Sequence, residues 1–314
     1  MKNSICFVWS LKMKNLVLYL CVFFSILGAM FSIDSTLVWL SLVVNMVSIL
    51  GIMAESSEAT QASFNYLLWQ AIGSLMFITG MVLSPVVVIL ALLIKLGVPP
   101  FHFWLLKVMD EVSIGLLSAL LTVQKVAPLF LISGYMYFLE NFYNLNFLFW
   151  AAASLSAVTG TLILLSQSRL RVLVFSLSLL SLGWATLAAK CGTNCVLSYL
   201  SMDLLVTGVF ILSINSSLKR GSVMVWGLFP LLGLLSWAGL PPLLGFFPKF
   251  VVISTLPELL VFPLLMASAV SLYQICVLSL EVLYSRVTTP QQDSVQQMSV
   301  WVHFLGGLSI FWLI

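Results

Sequence analysis

About eleven apolar runs of near-spanning length follow one another along this chain, with little polar sequence between them. They cover roughly 15–33, 37–54, 64–84, 85–104, 113–136, 144–166, 170–189, 193–214, 223–252, 258–285 and 298–314. A helix needs about 20 apolar residues to cross a bilayer. Soluble helices could also be this long, but only 7% of the residues are charged, against about 25% in soluble domains. The expected fold is therefore an all-α membrane protein of about 11 transmembrane helices in one integral membrane domain, residues 1–314. The links at 34–36 and 190–193 are too short for anything but antiparallel hairpins, and Ser84-Pro85 is almost all that joins the third and fourth runs. Lys2, Lys12 and Lys14 precede the run from Asn15 to Ile33. It lacks a small-residue cleavage site, so it reads as a retained first helix after an N-terminal segment, residues 1–14. Thr288 to Gln297 reads as a surface loop before the last helix.

Two of the runs are interrupted. Lys95 to Trp104 reads Lys-Leu-Gly-Val-Pro-Pro-Phe-His-Phe-Trp, and Gly239 to Phe250 reads Gly-Leu-Pro-Pro-Leu-Leu-Gly-Phe-Phe-Pro-Lys-Phe. Proline has no N–H and clashes with the preceding turn, so no helix runs cleanly through Pro99-Pro100 or Pro241-Pro242. Gly97 and Gly239 mark the same two breaks. Carbonyls freed inside a membrane must be met by protein or water. Paired breaks in two halves of a chain point to a transport site near the midplane.

The basic residues give sidedness. With the N-terminus on one side, that side holds Lys2, Lys12, Lys14, Lys107, Arg169, Arg171, Lys219, Arg220 and Arg286, and the other side only Lys190. Nine against one places the N-terminus in the cytoplasm or the mitochondrial matrix. The broken runs are the fourth and the ninth and so point in opposite directions. That spacing predicts an inverted repeat of five helices, 15–136 and 144–285, with 298–314 added.

The remaining three of the thirteen basic residues, Lys95, Lys125 and Lys249, lie inside apolar runs. A lysine at a helix centre costs about 2.5–3.5 kcal/mol on insertion scales. One reading is that each snorkels to an interface along its own stem. This is weakest for Lys125, which has about a dozen residues of its run on either side. The other reading, preferred here, is an ion or proton path, which intramembrane charges commonly mark. Burial disfavours the charged form, so a buried lysine responds to a neighbouring charge or water wire. His102 is a possible relay beside the first break, or a packed, hydrogen-bonded side chain there. Asp203, in the middle of its run, and Glu281, late in its run, could each pair with a buried lysine. His303 reads as structural. Glu55, Glu58, Asp110, Glu111, Glu140 and Glu258 sit at segment ends and read as solvated.

No metal or redox centre is expected. The five cysteines form no cluster motif, the two histidines no haem pair, and no GxGxxG follows a strand. Cys191 and Cys195 share one short loop, and two free thiols are preferred there over a strained disulfide. A net charge of +3 without a basic run gives no reason to expect nucleic acid as a partner.

The two broken stretches, together with Gln-Lys-Val-Ala-Pro at 124–128, closely resemble the subunit 2 family of mitochondrial NADH dehydrogenase. These are antiporter-like membrane subunits of respiratory complex I, NADH:ubiquinone oxidoreductase. The likeness spans about residues 37 to 285. It implies an inverted five-helix repeat around a polar axis, with Lys95, Lys125 and Lys249 as proton-translocating residues. It implies partners among other membrane-arm subunits, including neighbouring antiporter-like subunits. Location in the mitochondrial inner membrane follows as well. FMN, iron–sulfur clusters, NADH and ubiquinone would then be bound by other subunits, with no cofactor on this chain. The sequence also departs from the family. Where the family has a glutamate paired with the first lysine, this chain has Val43, and Asp34 and Glu55 are nine and twelve residues away. That is roughly 13–18 Å along a helix, too far for a simple replacement. A family histidine before Gly-Trp is here Ser181, and an acid after Phe-His-Phe-Trp is here Lys107. Two rival readings stay open: a subunit of a multi-subunit cation/proton antiporter, and a structural membrane-arm subunit that does not pump.

The charge bias makes a direct prediction. In sealed vesicles, protease added from one side should cut at Lys190 or at Lys219, never at both; cleavage of both from the same side would overturn the eleven-run topology.

Overall fold

A computed structural model describes residues 2–54, 60–138, 143–166, 170–219 and 228–286. Among them there are thirteen helices and no strand. Seven stretches are long and apolar enough to cross a membrane: Ser35–Ala54, Gln61–Leu83, Gly115–Met136, Phe147–Leu165, Arg171–Cys191, Thr193–Ile211 and Leu260–Val277. Shorter apolar helices cover Leu16–Phe31, Pro85–Leu96 and Phe246–Thr255. The run at 298–314, His303 and the stretch from Thr288 to Gln297 lie outside the described residues, as does the side chain of Glu281. The chain forms two compact units, each considered on its own: Met1–Leu117 with Gln124–Tyr135, and Ser118–Val123 with Met136–Ile314.

In the first unit, α1 (Lys2–Phe31) starts well before the apolar run and packs on α2 (Ser35–Ala54). Next comes α3 (Thr60–Leu83), which packs on α2, on α4 (Pro85–Leu96) and on α5 (Phe103–Glu111). Proline at the first position of α4 costs no hydrogen bond, because that N–H has no partner within a helix. The second half of α4, from Ala91 to Leu96, is buried without interruption, Lys95 included. Glu111, read from sequence as solvated, instead accepts a hydrogen bond from the Ala62 N–H at 2.9 Å. It thus satisfies one of the orphan donors in the first turn of α3. The run at 113–136 is two helices, α6 (Ile114–Leu121) and α7 (Val123–Phe138), and α7 carries Lys125 and Pro128.

In the second unit, α8 (Tyr143–Ser166), α10 (Thr193–Lys219), α12 (Phe246–Thr255) and α13 (Glu258–Arg286) all contact α9 (Leu170–Cys191). α11 (Leu228–Ala238) lies against α10 and α13. α9 is the core of this unit, buried throughout from Leu173 to Ala189. Its hydroxyls are self-contained: Ser176 donates to Leu173 O, Ser178 to Phe175 O and Thr186 to Gly183 O, each at 2.8 Å. Such bonds let a polar helix sit where no water reaches. Outward-facing positions are apolar instead, as at Phe147, Leu162, Phe262 and Tyr273, all exposed.

α8 and α9 approach closely because small residues face each other, as is usual for helices packed in lipid. A Cβ on Gly183 would lie 2.5 Å from Ser156 Oγ and 3.1 Å from Ala153 O. Gly183→Val should therefore cost about 1–3 kcal/mol through overpacking and lower the amount of chain in membranes several-fold. Immunoblotting of membranes against the parent chain checks this, and unchanged abundance would contradict the packing.

Candidate functional site: two lysines at two helix breaks

The two interruptions begin with the same helix ending, although only the first contains a cis bond, Pro99-Pro100. α4 ends at Leu96 and Gly97 takes φ 71°; α11 ends at Ala238 and Gly239 takes φ 93°. Only glycine adopts this left-handed turn without strain. Gly97 N–H donates to Ile94 O at 3.0 Å and Val98 N–H to Leu93 O at 3.1 Å. Gly239 N–H donates to Ser236 O at 3.1 Å and Leu240 N–H to Leu235 O at 3.3 Å. Both are Schellman endings, which satisfy two of the carbonyls a helix leaves open. A further turn follows each ending: Phe101 N–H donates to Val98 O at 2.8 Å, and Leu243 N–H to Leu240 O at 2.9 Å. Past the breaks, α5 and α12 begin at Phe103 and Phe246.

What remains at each break is the carbonyls nearest the end, and there the units differ. In the first unit, Lys95 O accepts a hydrogen bond from Gln70 Nε2 at 3.1 Å. In the second, the matching carbonyl is that of Trp237. Lys249 Nζ donates to it at 3.2 Å and to Ala238 O at 2.5 Å. A neutral amide closes the first helix end and a lysine the second. A cation is favoured there, because the helix dipole places partial negative charge at its C-terminus.

Each lysine borders a small cavity of about 10 Å³, the size one water needs. Around Lys95 the polar lining is neutral: Asn45, Tyr66, Gln70 and Gln124, with Leu42, Met46 and Pro128. Gln124 Nε2 donates to Tyr66 Oη, and the buried Asn45 Oδ1 has no protein partner. Around Lys249 the lining includes Tyr199, Trp237 and a carboxylate, Asp203. Asp203 interacts electrostatically with both Lys249 and Tyr199. The Tyr199 hydroxyl donates to Ser181 O at 3.0 Å. Ser181, Tyr199, Asp203 and Lys249 thus form a polar line from the core of α9 to the second break.

Lys125 is buried on α7, 5% exposed, next to the cavity-lining Gln124. His102 is buried inside the first break, where it hydrogen-bonds the Pro100 backbone and its ring lies 4.3 Å from that of Phe103. Asp203 comes together with Lys249. The side chains around Lys95 that sequence reasoning did not single out are Asn45, Tyr66, Gln70 and Gln124. Their common signal is amide or phenol inside an apolar run, weaker than a charge but of the same kind. Among the described residues, no three His, Cys, Asp or Glu side chains gather as metal ligands.

A lysine beside a water-sized cavity at each of two helix breaks, in a chain of apolar helices, fits a membrane domain of the antiporter-like class. Residues 80–274 match the family model described as "NADH:quinone oxidoreductase/Mrp antiporter, TM", and the chain belongs to that family. It is 31% identical over 288 residues to the NADH-ubiquinone oxidoreductase chain 2 of Dasypus novemcinctus, covering 81% of this chain and 82% of that one. The fold is like that of a chain in respiratory complex I from Thermus thermophilus, with TM-score 0.71 and 21% identity over 96% of this chain and 77% of that one. It is also like a chain in the Mrp complex from Dietzia sp. DQ12-45-1b, with TM-score 0.69 and 17% identity over 91% and 59%.

Gly239 carries a prediction. A Cβ there would stand 2.8 Å from Lys249 Nζ, on a backbone that alanine adopts poorly. Gly239→Ala should destabilise the chain by about 1–2 kcal/mol from the left-handed turn alone and lower its abundance in membranes. Gly208→Ala, with nothing within 4 Å of the new methyl, should not; equal losses for the two would remove the special role of the turn.

Proposed function

We propose that this chain is an antiporter-like core subunit of proton-pumping NADH:ubiquinone oxidoreductase. In this reading it moves protons across the mitochondrial inner membrane with its N-terminus in the matrix. The observation that carries the reading is the pair of equivalent helix breaks, each with a lysine beside a water-sized cavity. The chain's kinship to NADH-ubiquinone oxidoreductase chain 2 supports the particular complex. FMN, iron–sulfur clusters, NADH and ubiquinone belong to other subunits, and this chain contributes to the enzyme by translocation. Its partners are other membrane-arm subunits, neighbouring antiporter-like ones included. The repeat of five helices at 15–136 and 144–285 is part of this proposal.

In this mechanism Lys95, Lys125 and Lys249 are the exchanging groups. Each is out of bulk water, where holding a charge is expensive and a small change in surroundings moves the proton. Asp203 gives Lys249 a carboxylate to exchange with, and Tyr199 extends the polar line toward α9. Lys95 is lined by neutral groups, so its charge is balanced by water and dipoles rather than by a carboxylate. Asn45 Oδ1 is placed to take a hydrogen bond from such a water. His102 lies at the first break as a further proton carrier. A role in a cation/proton antiporter is the second reading, favoured by the likeness to the Mrp complex chain. Co-purification with flavin and NADH oxidation separates the two.

Lys125 tests the mechanism. Lys125→Met should leave the complex assembled but reduce proton translocation per NADH oxidised. Lys125→Arg should impair it too, because a guanidinium does not release its proton. A purely structural cation predicts the reverse, with arginine active and methionine blocking assembly. Native-gel abundance and pumping in sealed vesicles, measured together, distinguish them; normal pumping by Lys125→Arg at normal abundance would sink the proposal.

A further inference from the structure

The turn between α9 and α10 carries two thiols that the proton path does not use. Cys191 is the last residue of α9, Gly192 takes φ 114°, and Cys195 lies in the first turn of α10. Gly192 O accepts the Val196 N–H at 3.2 Å, which starts α10 at the glycine. This reversal brings Cys191 back toward the new helix, where it and Cys195 interact electrostatically. Thr255 Oγ1, at the end of α12, donates to Cys191 Sγ at 3.2 Å. Cys191 Sγ donates to Leu187 O at 3.4 Å. Both cysteines are half-buried and neither is in a disulfide. Lys190 acts electrostatically on Cys191. Partial exposure, a nearby lysine and a helix start are the surroundings in which cysteines react.

We propose that Cys191 and Cys195 are a reversible dithiol–disulfide couple, a modification site that reacts with small disulfides of the glutathione type and chelates trivalent arsenicals. Two thiols that flank one tight turn, at the end of α9 and the start of α10, need little rearrangement to bond. Gly192 supplies the backbone freedom that the narrow geometry of a disulfide demands. One thiolate attacks a sulfur of the small disulfide and expels a small thiolate, leaving a mixed disulfide. The second cysteine then attacks the protein sulfur of that mixed disulfide and expels the other small thiol. The chain loses two hydrogens, the small disulfide gains them, and no other oxidant is needed. A dithiol reverses both steps.

The test uses membranes holding the assembled complex. They are treated with glutathione disulfide, denatured, blocked with N-ethylmaleimide and cut with trypsin, which releases the peptide that begins at Cys191. The expected product is two hydrogens lighter and carries no maleimide, and dithiothreitol before blocking restores two maleimides. On untreated membranes, phenylarsine oxide should protect both cysteines together, reversed by a dithiol and not by a monothiol. In Cys195→Ser the glutathione adduct should persist on Cys191. Two maleimides after oxidation, or a stable single adduct in the parent chain, would overturn the couple. So would equal oxidation of Cys21 and Cys276, which have no cysteine neighbour in sequence.

Discussion

Polar backbone groups inside the apolar helices must be satisfied without help from bulk water, and the two helix breaks are where that requirement is hardest to meet. A Schellman turn closes two carbonyls at each break, but the last ones need a side chain. Gln70 meets that need for α4, and Lys249 for α11. The buried half of α4, the close seating of α3 on α4 and the placing of α12 under α11 all follow from it. A side chain from another helix must reach the broken end with donors pointing the right way. The break therefore acts as a joint as much as an interruption, and the residue that fills it donates to the backbone of the broken helix.

The same helix ending serves two different electrostatic arrangements. Near Lys95 the lining is amides and a phenol; near Lys249 it contains a carboxylate. Removing one partner of a buried charge pair leaves the other uncompensated. In the proposed mechanism the second cavity is thus sensitive to the state of Asp203, whereas the first responds to hydration. That difference is also the counterpart of Val43 in the sequence: the first half offers Lys95 no carboxylate within the described cavity, whereas Asp203 lines the cavity beside Lys249.

Much of this was legible in the sequence because lipid punishes polar groups so heavily. The three lysines inside apolar runs stand out against a chain with few charges, and the Gly-Pro-Pro breaks announce themselves by chemistry. Asp203 was visible as an intramembrane acid, but its partner was not, since the pairing depends on how α10 meets α12. Glu111 was misjudged as solvated because its sequence neighbourhood is a helix end; it is a cap for another helix, 49 residues away. Asn45, Gln70 and Gln124 were passed over because a neutral amide in an apolar run carries a weak signal. Their meaning comes only from converging on Lys95. The thiol pair was visible as a spacing, and its approach depends on the positive φ of Gly192.

The donor count at Lys249 explains why a lysine suits that joint better than the amide used at the other. An ammonium has three N–H donors and a neutral amine two. Trp237 O and Ala238 O occupy two of them in either charge state. The carbonyls at the end of α11 are therefore satisfied before and after a proton leaves, and the backbone need not move. The third hydrogen is the one available to Asp203 or to a water in the cavity. Arginine at this position could not release it, and methionine would leave two buried carbonyls without donors, at a cost of about 1–3 kcal/mol each. In the proposed mechanism anchoring and exchange fall to different hydrogens of one nitrogen, so a helix end that had to be closed by something can be closed by a group that also changes charge.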